Sequence, residues 1–394
     1  MLSGRVMAFQ PDPIRTFFIQ TDWMAGKNVR IYDKFPASTF RKNFGLDIGY
    51  IFQDTTQNWV SYYNYPSLGI SMVYSDLGNP EIFNKEYSLI PYILLKTSRD
   101  PKRSLDFKIG LGLSYCTRPY NAESNPLNLV IGSKFNWGLQ LLVYKNLLVS
   151  SHFILKSGIG FIHTSDAHTE LPNYGLNSAM ISMALQFPSG NYDPDFAMKQ
   201  KKLPVNHKKR FFLQARSGLG WHELGGTVDP IGGPNYRINN YTLSGGIIFH
   251  QQLKISTGFT YRYYHSFYQY IMNTPDIEWG TDPSYFRKNP HGKSSNLIFF
   301  IGCEFMLGHV GLEINEGINL YKPFYREFNE RWEFKKGFDY IRNRYISSRI
   351  GLNYYLVDNS RMPQNNVWLG AHIDANFGKA DFMEFCVGYS YLFK

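Results

Sequence analysis

The stretch Leu105-Asp106-Phe107-Lys108-Ile109-Gly110-Leu111-Gly112-Leu113-Ser114-Tyr115 decides the fold. Its odd positions are apolar or aromatic, and its even positions, from Ser104 on, carry charge, hydroxyl or glycine. Successive side chains of a strand point to opposite faces, so this is a half-buried β-strand. A second stretch repeats the pattern, with Ile255, Thr257, Phe259, Tyr261 and Tyr263 set against Lys254, Ser256, Gly258, Thr260 and Arg262. Strands of about ten residues, with one face rich in glycine and charge, suit a bilayer crossing around a watery lumen.

Working outward, period two runs through nearly the whole chain. Strands are predicted near 15–24, 43–54, 65–76, 86–96, 104–116, 127–143, 147–165 and 174–187. After a polar gap they follow near 209–221, 237–249, 252–264, 295–307, 310–320, 346–356, 365–377 and 380–393. Helix is expected only as a short turn near Phe328–Lys336. Short turns at Lys145-Asn146, His250-Gln251 and Gly308-His309 fall on one side of the crossings, and the long loops 265–294 and 321–345 on the other. Outer-membrane barrels show this asymmetry, with short periplasmic turns and long external loops. The same parity puts the 166–173 loop on the external side.

Composition agrees. Aromatics are 17% and charged residues 18%, with mean hydropathy −0.31. No apolar run reaches the roughly 18 residues of a membrane helix. Cys116, Cys303 and Cys386 have no metal or redox spacing and read as free thiols within strands. The net charge is +10, with the sharpest basic run from Lys199 to Arg210, read as a linker or a patch facing anionic headgroups. No nucleic-acid motif accompanies it, so no nucleic-acid partner is expected. The opening Met1–Ala8 holds no signal-peptide h-region, so an exported protein would carry its leader outside this chain. Met383, Phe385, Val387, Tyr389, Tyr391 and Phe393 alternate to the end, an amphipathic last strand like the signal read by barrel-assembly machinery.

The fold expected is therefore all-β, a transmembrane antiparallel up-and-down barrel of about sixteen strands. Two eight-stranded units in tandem are the alternative. Residues 1–187 would form the half carrying the candidate site, 188–208 a polar basic linker or periplasmic turn, and 209–394 a second half of unassigned function.

The chemistry concentrates in one place. In Phe161-Ile162-His163-Thr164-Ser165-Asp166, the histidine and serine sit two apart, on one strand face. They continue the apolar register of Ile159 and Phe161, and Asn177 joins the matching register of the next strand. A serine hydroxyl is a poor nucleophile until a base takes its proton, and His163 is placed to do so; a girdle histidine, a strand-capping Ser165 and turn-forming Asn173 and Asn177 are the structural alternatives.

These residues, through Leu171-Pro172-Asn173-Tyr174-Gly175-Leu176-Asn177, resemble the outer-membrane lipid A 3-O-deacylase family, whose motif is His-x-Ser-Asn followed by Pro-Asn-x-Gly. Tyr65–Gly69 with Asp76–Pro80, and Asn125–Ser133, resemble its longer members, also described as acyloxyacyl hydrolases. The likeness covers roughly 43–187. It implies a barrel esterase of the bacterial outer membrane that removes the 3-position acyl chain of lipid A, without metal or cofactor. Ser165 would be the nucleophile, His163 the general base and Asn173 the oxyanion-hole side chain. The acid that orients the histidine falls at Asn177, with Asp166 or Glu170 as substitute carboxylates. Two further departures are Asp166, where the motif has asparagine, and His168, where a small residue is expected. Lipopolysaccharide would be the partner. The competing expectation is a non-catalytic barrel, channel or structural, that keeps the fold. A soluble β-sandwich binding module is the third.

Overall fold

The computed structural model describes residues 15–190, 192–201, 208–376 and 379–393. The opening Met1–Ala8, residues 202–207 of the basic run, and Lys394 lie outside them. The first strands are β1 (Arg15–Asn28), β2 (Arg41–Phe52), β3 (Ser67–Asp76) and β4 (Lys85–Lys96). They continue as β5 (Leu105–Cys116), β6 (Phe135–Val149), β7 (Ile154–Ser165) and β8 (Leu176–Pro188). The second set is β9 (Arg210–Glu223), β10 (Asn235–Phe249), β11 (Leu253–Tyr264) and β12 (Ser295–Leu307). It ends with β13 (Val310–Tyr321), β14 (Ile346–Tyr355), β15 (Asn365–Asn376) and β16 (Lys379–Leu392).

The described residues form sixteen strands, each antiparallel to its neighbours, but they close as two barrels of eight. The single sixteen-stranded barrel is thus corrected to the tandem arrangement. β8 returns to β1, from Phe18 opposite Pro188 to Asn28 opposite Ser178, and β16 returns to β9. Alternation fixes the faces of a strand and not the partner that closes the sheet. Among the described residues, no helix is long and apolar enough to cross a membrane.

Two local expectations also change. β6 runs through Lys145-Asn146 to Val149 with a register shift at Asn146, so the turn lies at 150–153. Residues 127–134 are loop, held by Asn128, whose side chain bonds the carbonyls of Ile82 and Arg118. Short helices decorate the long loops, the longest being His265–Asn273 and Gly337–Tyr345.

In the first barrel Trp23, Phe44, Ile70, Leu89, Leu113, Ile159 and Ile181 point outward and are exposed. The lumen is filled by buried polar chains. Lys108 Nζ lies 2.7 Å from Asp47, which also accepts from Gln20 at 3.1 Å, and Arg41 pairs with Glu86 at 3.0 Å. The second lumen is filled likewise: Arg349 bridges Glu313 (2.7 Å) and Glu384 (2.9 Å), and Lys254 pairs with Glu304 at 3.1 Å. Low dielectric strengthens such pairs but makes an unpartnered charge costly.

The barrels stand side by side and in the same sense. Loop 166–175, after β7, bonds loop 224–234, after β9. At the opposite end the β2–β3 connection meets the second barrel, with Tyr63 Oη donating to the Gln252 carbonyl at 3.0 Å. Between them Trp137 of β6 faces Phe385 of β16, ring centres 5.9 Å apart.

Asp47→Ala should lower stability of the first barrel by about 3–5 kcal/mol, because Lys108 then stays buried without its counter-charge. The urea midpoint of the heat-modifiable band reads this out. Asp47→Ala with Lys108→Met should recover most of the loss, and a double variant as weak as the single one contradicts the pairing.

Candidate active site

β7 and β8 pair antiparallel with His163 directly opposite Asn177. Odd residues of both strands face outward, since Ile159, Phe161, Ala179 and Ile181 are exposed while Ile162, Thr164 and Ser178 are buried inward. His163, Ser165 and Asn177 thus emerge on the outer wall at the loop end.

They form a relay. His163 Nδ1 lies 2.7 Å from Asn177 Oδ1, and His163 Nε2 lies 2.8 Å from Ser165 Oγ. A carboxamide oxygen accepts, so Nδ1 carries the proton and the Nε2 lone pair receives the Ser165 hydroxyl. That is the arrangement a general base needs. Ser165 is only 4% exposed and His163 half-buried.

Gly175 makes the approach feasible. It has φ +72°, and a Cβ there would stand 2.6 Å from His163 Cε1 and 3.2 Å from Ser165 Cβ. Its N–H bonds the Val130 carbonyl at 2.9 Å and that of Tyr174 bonds Leu129 at 3.2 Å, so loop 127–134 holds the segment that enters β8 beside the site.

Asn173 is buried, with its Oδ1 unpartnered and its N–H bonded to the Thr227 carbonyl of the second barrel at 2.9 Å. Neither substitute carboxylate hydrogen-bonds the imidazole. Asp166 is turned into its own loop, where Oδ1 accepts from the Thr169 N–H at 3.2 Å. Burial pushes its carboxyl well above the usual range, with Glu170 adding to the effect. Glu170 is exposed. His168 points to the second barrel, its Nε2 donating to the Gly225 carbonyl at 3.2 Å. Burial, aided by Lys379 and His222, lowers it to about 3, so it stays neutral there.

Below the relay lies an open apolar groove of about 820 Å³ on the outer wall. Phe161, Ala179, Ile181, Gly26 and Phe40 line it, with the exposed Lys27 at its rim. Among the described residues one buried trio, His372, Glu384 and Cys386, has metal-like spacing. Arg349 stands among them, 2.9 Å from Glu384 and 3.7 Å from Cys386, so a fixed cation already fills that role.

The sequence reading missed the second barrel's share in this loop, carried by Glu223, Gly225 and Thr227. Leu224-Gly225-Gly226 signals a turn and nothing of its partner.

Residues 45–186 match the family described as lipid A 3-O-deacylase, a span that includes every residue of the relay. No curated protein matches the sequence. Among solved structures, the outer membrane enzyme PagL is similar at 14% identity over 42% of this chain and 97% of its own, with a TM-score of 0.30. A BenF-like porin from Pseudomonas fluorescens Pf-5 is similar at 9% identity over 98% of this chain and 100% of its own, with a TM-score of 0.21. An outer membrane channel from Pseudomonas putida F1 is similar at 8% identity over 98% of each chain, with a TM-score of 0.18. Likeness at these scores carries no weight for function.

Gly175→Ala should break the relay while leaving the barrel folded, since the methyl meets the imidazole edge and the left-handed backbone costs roughly 1–2 kcal/mol. In ¹⁵N NMR, the ring nitrogens of His163 should show one neutral tautomer in wild type and a mixture in the variant. An unchanged pattern would contradict this role for Gly175.

Proposed function

We propose that this chain is an esterase of the bacterial outer membrane that hydrolyses a 3-O-linked hydroxy fatty acid from lipid A by a serine–histidine mechanism. The observation that carries the reading is the Ser165–His163–Asn177 relay, with hydrogen bonds of 2.8 and 2.7 Å, on the outer wall of a barrel. The match of 45–186 to the lipid A 3-O-deacylases supports the same substrate class. Lipopolysaccharide is the partner, and barrel-assembly machinery would read the alternating last strand.

Ser165 Oγ attacks the ester carbonyl as its proton passes to His163 Nε2. The tetrahedral oxyanion needs donors, and the Asn173 carboxamide is the side chain for that work. Collapse expels the sugar 3-hydroxyl, which takes the proton from His163, and leaves an acyl ester on Ser165. Water, activated by the now neutral His163, hydrolyses it and frees the fatty acid. The acyl chain would lie in the apolar groove beside Phe161 and Ala179, and Lys27 at the rim would attract the lipid's phosphate.

One observation favours a second reading, a barrel that does no chemistry. Asn177 is neutral and cannot stabilise an imidazolium by charge, and the equivalent change in a serine protease costs roughly 10⁴ in turnover. Within that reading, the side chains filling both lumens support a structural barrel over a channel.

Mass spectrometry of lipid A from membranes containing the wild-type protein should show loss of one hydroxyacyl chain, absent with Ser165→Ala. Identical spectra would count for the second reading. Asn177→Asp should raise turnover by at least about tenfold, because a carboxylate both pins the tautomer and stabilises the cation. An Asp variant slower than wild type would contradict the role given to Asn177.

A further inference from the structure

We propose that the second barrel braces the catalytic loop of the first, with Glu223 as the positioning residue. This rests on the esterase reading above.

Loop 166–175 leaves β7 through two successive left-handed residues, Ala167 (φ 56°) and His168 (φ 69°). Neither is glycine, so this course is unfavourable unless the surroundings hold it. The second barrel supplies the hold. The Glu223 N–H donates to the His168 carbonyl at 3.0 Å. The Leu171 N–H donates to Glu223 Oε2 at 2.7 Å, while Oε1 takes the Gly233 N–H. One carboxylate therefore ties the catalytic loop to its own loop by charge-assisted bonds, the stronger kind. The Asn173 N–H completes the seam at Thr227.

Packing follows the same line. Leu171 is buried, and a Cβ on Gly225 would stand 2.7 Å from its Cδ1. Asn173 is thus held by Thr227 on one side and, through Tyr174 and Gly175, by Leu129 and Val130 on the other. Removing the Glu223 carboxylate leaves the Leu171 N–H buried without an acceptor. The segment carrying the oxyanion-hole side chain then loosens, while the groove proposed for the acyl chain, lower on the outward faces of β7 and β8, has no contact with Glu223 and is untouched. Misplacement of about 1 Å can cost roughly 10² in rate. Loss of an interaction made only in the transition state lowers kcat and spares KM.

The test uses the full chain in detergent with lipid A as substrate. In Glu223→Ala, kcat should fall about 10- to 100-fold with KM within about twofold of wild type. Glu223→Gln keeps one acceptor oxygen and should recover kcat to within about fivefold of wild type. A kcat unchanged in Glu223→Ala, or a loss expressed wholly in KM, overturns the proposal. Should Glu223→Ala fail to fold, Gly225→Ala presses on Leu171 from the same side, and wild-type turnover in that folded variant overturns it too. Should the wild type release no acyl chain, the esterase reading fails. The brace is then read by amide exchange across 168–173, which must quicken in a folded Glu223 or Gly225 variant while strand amides stay unchanged. Unchanged exchange there overturns the brace.

Discussion

The site depends on a lumenal anchor behind it. Thr164 sits between His163 and Ser165 and points the other way, donating to Glu86 at 2.8 Å. Glu86 in turn pairs with the fully buried Arg41, whose guanidinium also reaches Ser178 of β8 at 3.2 Å. One charged cluster therefore grips both strands that bear the relay. A strand cannot shift by one residue without sending Thr164 outward and His163 into the lumen. The register that satisfies the buried ions is the register that lines up imidazole, hydroxyl and carboxamide.

From that register follows the division of labour across the wall. Inward residues meet low dielectric and pair or hydrogen-bond; outward residues are mostly apolar, with Lys42, Asp76 and Glu316 among the exceptions besides the relay. The polar trio forms its own hydrogen bonds, so much of its polarity is satisfied internally. The groove beneath spans β5, β6, β7, β8 and β1, and Trp137 and Phe385 bring the second barrel close at β6.

Much of this was legible in the sequence, for a physical reason. Period-two alternation is imposed by the backbone, so β5, β11, β12 and β13 could be read to within a residue at each end. His163, Ser165 and Asn177 could be put on one face by counting, because strand phase survives any uncertainty about ends. Closure was not legible: Phe18 meeting Pro188 is a long-range pairing that alternation does not encode. The turn expected at Lys145-Asn146 looked right chemically, yet β6 absorbs it through a register shift and runs on to Val149. The helix His265–Asn273 lies inside the stretch expected as a long loop, 265–294, and at nine residues is too short for its period to stand out. Glu223 was unreadable as a site residue, since its meaning lies in Leu171, far away in the chain.

In the proposed mechanism Ser165 is a nucleophile activated by His163 on the outer wall of the first barrel. The most direct measurement is trapping with a long-chain alkyl phosphonate ester, followed by peptide mass spectrometry of the purified protein. A single covalent adduct on Ser165 is expected in the wild type and none in His163→Gln. An unmodified Ser165 in the wild-type protein, or equal labelling in both, would contradict it.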